Sequence, residues 1–210
     1  MKIRLLSDIH GFIQPVIYNY AQRDDTIKGY DLLIQLGDFG FRDTYKHLNK
    51  FDPARLRILG GNHDDYGAMR SLDIIPYFLG NFGLLPESDG KVFFVRGAWS
   101  IDRDRRIEGW NWWKEEELSW SQMNDCLDLW DQVKDGVEVV LSHEAPMNFA
   151  SVLFGSYPIE TNTGKLLYEM WKMHEPKRWF CGHWHMQKTW KFGNTEFRCL
   201  AINESINIEV

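Results

Sequence analysis

Residues 2–11 read KIRLLSDIHG. An apolar run gives way at once to Ser, Asp, His and Gly, and the same junction recurs four times. DLLIQL (31–36) leads into GDFG, LRIL (56–59) into GGNHD, GVEVVL (136–141) into SHEAP, and RWF (178–180) into CGHWH. Short apolar runs bounded by turn-forming residues read as buried strands. Helical spacing lies between them. Segment 14–23 carries Val16, Ile17, Tyr20 and Ala21 on one side, and 162–174 carries Leu166, Leu167, Met170, Trp171 and Met173. A third helix is expected over 120–134, with Ser119 and Gln122 as a capping box and Gly136 as a stop. Residues 188–200 read as a β-hairpin turning near Gly193–Asn194, followed by a last strand, SINIEV. Strands alternating with helices indicate an α/β domain. In open α/β sheets ligands bind at the C-terminal ends of strands, where these polar junctions fall.

The chain has 210 residues, enough for one domain with a sizeable core. No linker, repeat or low-complexity tract interrupts it, so 1–210 reads as a single unit. The net charge of −6 argues against a general binder of nucleic acid, which needs excess Lys and Arg. A carboxylate-rich site holding divalent cations would be more positive than that tally. Three Cys are too few and scattered for a disulfide framework. There is no signal-type N-terminus and no apolar run long enough for a membrane span. A soluble, cytoplasmic protein is expected, and its oligomeric state is unreadable from sequence.

Five of the seven His (His10, His63, His143, His183, His185) fall in the five junctions, and only His47 and His174 do not. Each motif alone is weak. A strand-end Asp is commonly a turn residue, and Gly-Asp is a frequent turn dipeptide. Together, Asp8, His10, Asp38, Asn62, His143, His183 and His185 supply the mixed oxygen and imidazole donors that suit Mn²⁺, Fe²⁺, Zn²⁺ or Ni²⁺. Cys181 lies near the His pair but reads as a small buried hydrophobe.

The ordered series D-x-H, G-D, G-N-H-D, S-H, G-H-x-H resembles the calcineurin-like metallophosphoesterase superfamily, over positions 8 to 185. The resemblance implies a β-sandwich of two mixed sheets flanked by helices. It also implies two divalent ions, Mn first among the options. Asp8, His10, Asp38 and His185 would hold one. Asp38, Asn62, His143 and His183 would hold the other, with Asp38 bridging. It further implies hydrolysis of phosphoester bonds by a metal-bridging hydroxide, with His63 assisting the leaving group. Asp64 would either orient the His63 ring or cap the following helix.

The protein serine/threonine phosphatase branch is similar to G-D-x-x-D-R-G followed by G-N-H-E. Here residues 37–43 read GDFGFRD. Arg42 keeps the Arg position and is a candidate phosphate contact, but Phe41 replaces the Asp, Asp43 the Gly, and Asp64 the Glu. A phosphodiesterase or small-phosphoester hydrolase is therefore preferred to a phosphomonoesterase or protein phosphatase. A nuclease and a non-catalytic metal-binding scaffold are two further readings that the motifs permit. Segment 96–120, RGAWSIDRDRRIEGWNWWKEEELSW, carries four Arg and five Trp. It resembles a stretch of bacterial and phage-associated members of the superfamily. One reading is a cover over the site, with Arg105 or Arg106 clamping phosphate bidentately and a Trp stacking on a base. The other is a packed loop. A mixed case is preferred, with Arg106 as the functional arginine and most Trp in packing.

Overall fold

Alternation along the strands sets the layers. Ile3 and Leu5 point to one face of the first strand and Leu6 to the other. Leu32, Ile34 and Leu36 alternate in the same way with Leu33, and Val92 and Phe94 with Phe93 and Val95. Both faces are apolar, so both must be covered. The computed structural model describes residues 1–22, 29–149 and 160–210. Its strands are β1 (Lys2–Leu6), β2 (Leu32–Leu36), β3 (Leu56–Leu59), β4 (Phe82–Leu84), β5 (Val92–Val95), β6 (Val139–Ser142), β7 (Arg178–Cys181), β8 (Lys188–Phe192), β9 (Thr195–Cys199) and β10 (Ser205–Glu209). Its α-helices are α1 (Gln14–Ala21), α2 (Arg42–Tyr45), α3 (Trp120–Val133) and α4 (Asn162–Met173).

Two mixed sheets pack face to face. One has the order β10-β1-β2-β3, the other β4-β5-β6-β7-β9-β8. Strands β1, β2 and β3 are parallel, as are β5, β6, β7 and β9; β10, β4 and β8 are antiparallel edges. The inward residues of both sheets share one apolar cluster, including Ile3, Ile34, Phe94, Leu141 and Phe180. The outer face of the larger sheet is covered by α3 and α4 through Trp130, Leu167 and Met170. That of the smaller sheet packs Val16 of α1 with Phe39 and Tyr45. This is the expected sandwich of mixed sheets flanked by helices.

The helix signals hold with small shifts. Ser119 and Gln122 form the full capping box of α3. Thr161 caps α4, its side chain accepting from the Gly164 N–H at 2.9 Å. The end of the expected 14–23 helix lies outside the described residues. Its buried face also differs from expectation. Ile17 is exposed and Asn19 buried, because the Asn19 amide accepts from Arg4 at 3.3 Å and donates to the Pro15 carbonyl at 2.8 Å. Met173 is likewise exposed at the end of α4. The hairpin turns at Gly193, whose φ of 57° favours glycine. Strands β4 and β5 lie outside the five polar junctions, although VFFV (92–95) is as apolar as any of those runs. Among the described residues no helix is long and apolar enough to cross a membrane.

Candidate active site

Parallel β1, β2, β3, β6 and β7 all end at the same edge of the sandwich, so their polar junctions converge. The chain leaves the strands in strained conformations. Asp8, His10, Asp38, His183 and His185 have φ between 45° and 66°, and among the described residues only Asp89 and Asn203 join them as non-glycines of positive φ. Such conformations cost about 1–3 kcal/mol each and persist where surrounding structure and function demand them. Glycines give the room: a Cβ on Gly61 would overlap the Asp38 carboxylate, and one on Gly182 would overlap Ser7 and Asp8.

Two groups of donors face each other. In the first, Asp8, His10, Asp38 and His185 each offer an atom within 4.8 Å of the others. The Nε2 atoms of His10 and His185 are 2.8 Å apart. Asp8 Oδ1 lies 3.6 Å from His185 Nε2, and Asp38 Oδ2 lies 3.8 Å from His10 Nε2. In the second, Asn62 Oδ1 sits 3.1 Å from His143 Nε2 and 2.9 Å from His183 Nδ1. Asp38 Oδ1 is 3.2 Å from His143 Nε2. Asp38 therefore stands between the groups, one oxygen toward each. Its Oδ2 is buried and makes no hydrogen bond.

Backbone and side-chain contacts behind these donors fix their orientation. His143 Nδ1 donates to the Leu36 carbonyl at 2.7 Å, which turns Nε2 inward toward Asp38 and Asn62. Asn62 Nδ2 donates to Ser100 Oγ at 3.0 Å, which turns Oδ1 inward. The His183 N–H donates to the Asp8 carboxylate, and the His63 N–H to Asp38 Oδ1 at 2.8 Å.

The electrostatics are those of a crowded, desolvated acceptor cluster. Burial alone would push the Asp38 carboxyl up, but His143 against it reverses this and holds it well below the usual range. Burial lifts Asp8 to about 7, opposed by His143 and reinforced by Asp38. Burial and the neighbouring His143 drive His183 down to about 3, so that ring is neutral. His10, His63 and His185 are also lowered, burial being the main cause. Burial alone would lower His143 as well, but Asp38 against it lifts that ring to about 10, so it carries a proton that a bound ion would displace. The converging lone pairs of the neutral His10, His183 and His185, with two buried carboxylates and a bare carboxylate oxygen, suit divalent cations. The donor set fits the metal group expected from the sequence.

The remaining expected site residues are placed less uniformly. The His63 ring lies 5.5 Å from that of His10, and the Arg106 Nη2 atom lies 3.5 Å from His63 Nε2. Arg106 is not free to clamp phosphate with its fork, because Nε and Nη2 already grip Asp102 at 2.7 and 2.8 Å and Nη1 donates to the Asn111 carbonyl. Arg105 is exposed in the Arg103–Arg105 turn. Arg42 is exposed on α2, with Asp65 at 3.9 Å. Arg96 is buried, its guanidinium over Tyr66 and bonded to Asn81. Of the tryptophans, Trp113 is buried and Trp99 lies under Arg103, whereas Trp110 and Trp120 are exposed. Packing of most Trp is thus only partly realised. A cavity of about 650 Å³ opens beside the segment, between Tyr66, Arg103, Trp112 and Trp120, and no candidate ligand lines it.

Asp64 departs from both expectations. Its Oδ2 accepts from the N–H groups of Asp38 (3.0 Å) and Gly61 (2.7 Å), its Oδ1 from the Gly40 N–H (2.8 Å) and the Tyr45 hydroxyl (3.0 Å). Its oxygens serve those donors and not the His63 ring, and the cap of the next turn is Asp65, which accepts from the Ala68 N–H. Asp64 ties the Asp38 loop to the Asn62 loop. Asp64→Asn places an amide N–H against backbone N–H groups and is expected to cost about 2–4 kcal/mol, read as a lower urea midpoint. An unchanged midpoint would show that the two loops hold themselves. The sequence motifs also give no role to Ser100 or Glu144; Ser100 lies in segment 96–120 and Glu144 directly after His143, but only contacts across the fold reveal their partners.

No curated protein matches the chain. Solved structures do. The fold is similar to that of TT1561 of Thermus thermophilus, with a TM-score of 0.58 at 14% identity over 96% of this chain and 89% of that one. It is also similar to GAP50, the anchor in the inner membrane complex of Plasmodium, with a TM-score of 0.52 at 10% identity over 95% and 71%. At these identities the likeness concerns fold alone, and one fold serves many functions. The family model for calcineurin-like phosphoesterases matches residues 1–187, from before Asp8 to beyond His185. With that match and the Asp/His cluster at the strand ends, the chain belongs to the calcineurin-like phosphoesterases and is a metal-dependent phosphoesterase.

Proposed function

We propose that the chain hydrolyses small phosphoesters, diesters in preference to monoesters, at a centre of two divalent ions. The observation that carries this reading is Asp38, buried between two donor groups with an oxygen toward each. Asp8, His10, Asp38 and His185 would hold one ion, and Asp38, Asn62, His143 and His183 the other. Mn²⁺ is the first choice, with Fe²⁺, Zn²⁺ and Ni²⁺ also compatible. Such ions supply a strong nucleophile at neutral pH and neutralise charge on phosphoryl oxygens.

The chain's own residues do the rest. His63 Nε2 opens toward the Arg106 guanidinium, where a phosphate oxygen would lie, and gives a proton or hydrogen bond to the leaving oxygen. Arg106, held by Asp102, adds a fixed positive charge on that side and a single Nη2 contact rather than a fork. Segment 96–120 carries this arginine and so borders the substrate. A protein-phosphatase reading is less favoured, because Phe41 stands where that branch has Asp and is an exposed aromatic. A scaffold reading is disfavoured by His63 and by a full set of donors.

The test is turnover by protein loaded with Mn²⁺, comparing bis-p-nitrophenyl phosphate with p-nitrophenyl phosphate at equal concentration. Faster hydrolysis of the diester is expected. Hydrolysis of neither would overturn the reading, and a faster monoester would reverse the preference.

A further inference from the structure

The four candidate ligands of the second ion are not supported alike. His143 is oriented by the Leu36 carbonyl and Asn62 by Ser100. For His183 the inward atom is Nδ1, 2.9 Å from Asn62 Oδ1. Its other nitrogen, Nε2, lies 3.5 Å from Glu144 Oε2.

Glu144 directly follows His143 at the end of β6 and is buried. Its Oε1 accepts from the Ala145 N–H at 2.9 Å and from the Trp184 indole N–H at 2.8 Å. Its Oε2 is buried and makes no hydrogen bond. The carboxylate is thus anchored through one oxygen, and the other is left as an acceptor beside the His183 ring. Close by lies the small apolar cluster of Ala145, Cys181 and Cys199. A buried acceptor without a donor is costly, and an imidazole N–H is the donor at hand.

We propose that Glu144 is a positioning residue that holds His183 in the Nε2–H tautomer, so that the Nδ1 lone pair is presented to the second divalent ion. A neutral imidazole carries one N–H, and the partner of one nitrogen decides which nitrogen is free to ligate. The SHEAP junction would then supply both a ligand and the outer partner of a different ligand, which arrives from β7. The proposal rests on the two-ion reading above.

Glu144→Gln tests it. The Ala145 and Trp184 N–H groups retain the amide oxygen, so the amide nitrogen turns to His183 Nε2 and donates where the carboxylate accepted. After removal of metal with a chelator, wild type and variant are titrated with Mn²⁺ by calorimetry. The nitrogen shifts of His183 are read by NMR with diamagnetic Zn²⁺ bound, because in the metal-free protein Asn62 Oδ1, 2.9 Å from Nδ1, competes for the ring's one N–H. The expected result is a second binding step weakened by about 10–100-fold, a first step unchanged, and a hydrogen-bonded Nε2–H in wild type that the variant lacks. A second step within about threefold of wild type, or a wild-type His183 without a hydrogen-bonded Nε2–H, overturns the assignment. The wild-type tautomer decides the matter even if the variant does not fold. Uptake of a single ion by the wild type would instead sink the two-ion reading, and this proposal with it.

Discussion

Asp38→Asn abolishes turnover in the expected result: kcat/KM falls by at least about a thousandfold, and bound metal falls to one ion per chain or fewer. The carboxylate reaches 3.2 Å from His143 Nε2 on one side and 3.8 Å from His10 Nε2 on the other. Replacing it removes a negative charge from both donor groups at once. It also weakens the acceptor that holds the His63 N–H. Asn suits the test because it matches Asp in size and tolerates the left-handed backbone required at a φ of 57°. A folded, metal-poor protein is therefore expected, and thermal unfolding with elemental analysis checks both parts. Retention of two ions with a tenth or more of the activity would contradict the bridging role.

His63→Ala should behave differently. Metal content stays as in wild type, because the ring lies outside both donor groups, while kcat falls by about 10²–10⁴-fold on esters with poor leaving groups. The ring stands 5.5 Å from that of His10, and burial lowers it, so near pH 7 the neutral ring offers the leaving oxygen an N–H hydrogen bond and transfers a full proton only from its minor protonated form. A p-nitrophenolate leaves without a proton, so the loss on that substrate should be much smaller. Comparing p-nitrophenyl and alkyl diesters therefore separates proton donation from mere positioning. An equal loss on both, or a loss of metal, would remove His63 from the leaving-group role.

Much of this is legible along the chain. The apolar runs that end in Asp, Asn and His are strand ends, the Ser119 capping box forms, and the hairpin turns at Gly193. These features depend on neighbours a few residues apart. The roles of Asp64, Ser100 and Glu144 are not legible, nor is the capture of the Arg106 fork by Asp102. Asp102 and Arg106 are four residues apart, yet in sequence an interleaved Asp-x-Asp-Arg-Arg run offers several pairings. Only the Arg103–Arg105 turn selects one, exposing Arg105 and turning Arg106 toward His63.

Local sequence sets the sandwich's alternating strands, the location of the polar residues at their ends, and the kind of donor available. Packing of the two sheets selects which donors meet. Asp38 and Asp64 are 26 positions apart, Asn62 and Ser100 are 38 apart, and Asn62 and His183 are 121 apart. Strand and helix signals are written in local periodicity and caps, whereas a buried carboxylate takes its role from whichever N–H groups the packed sheets bring to its two oxygens.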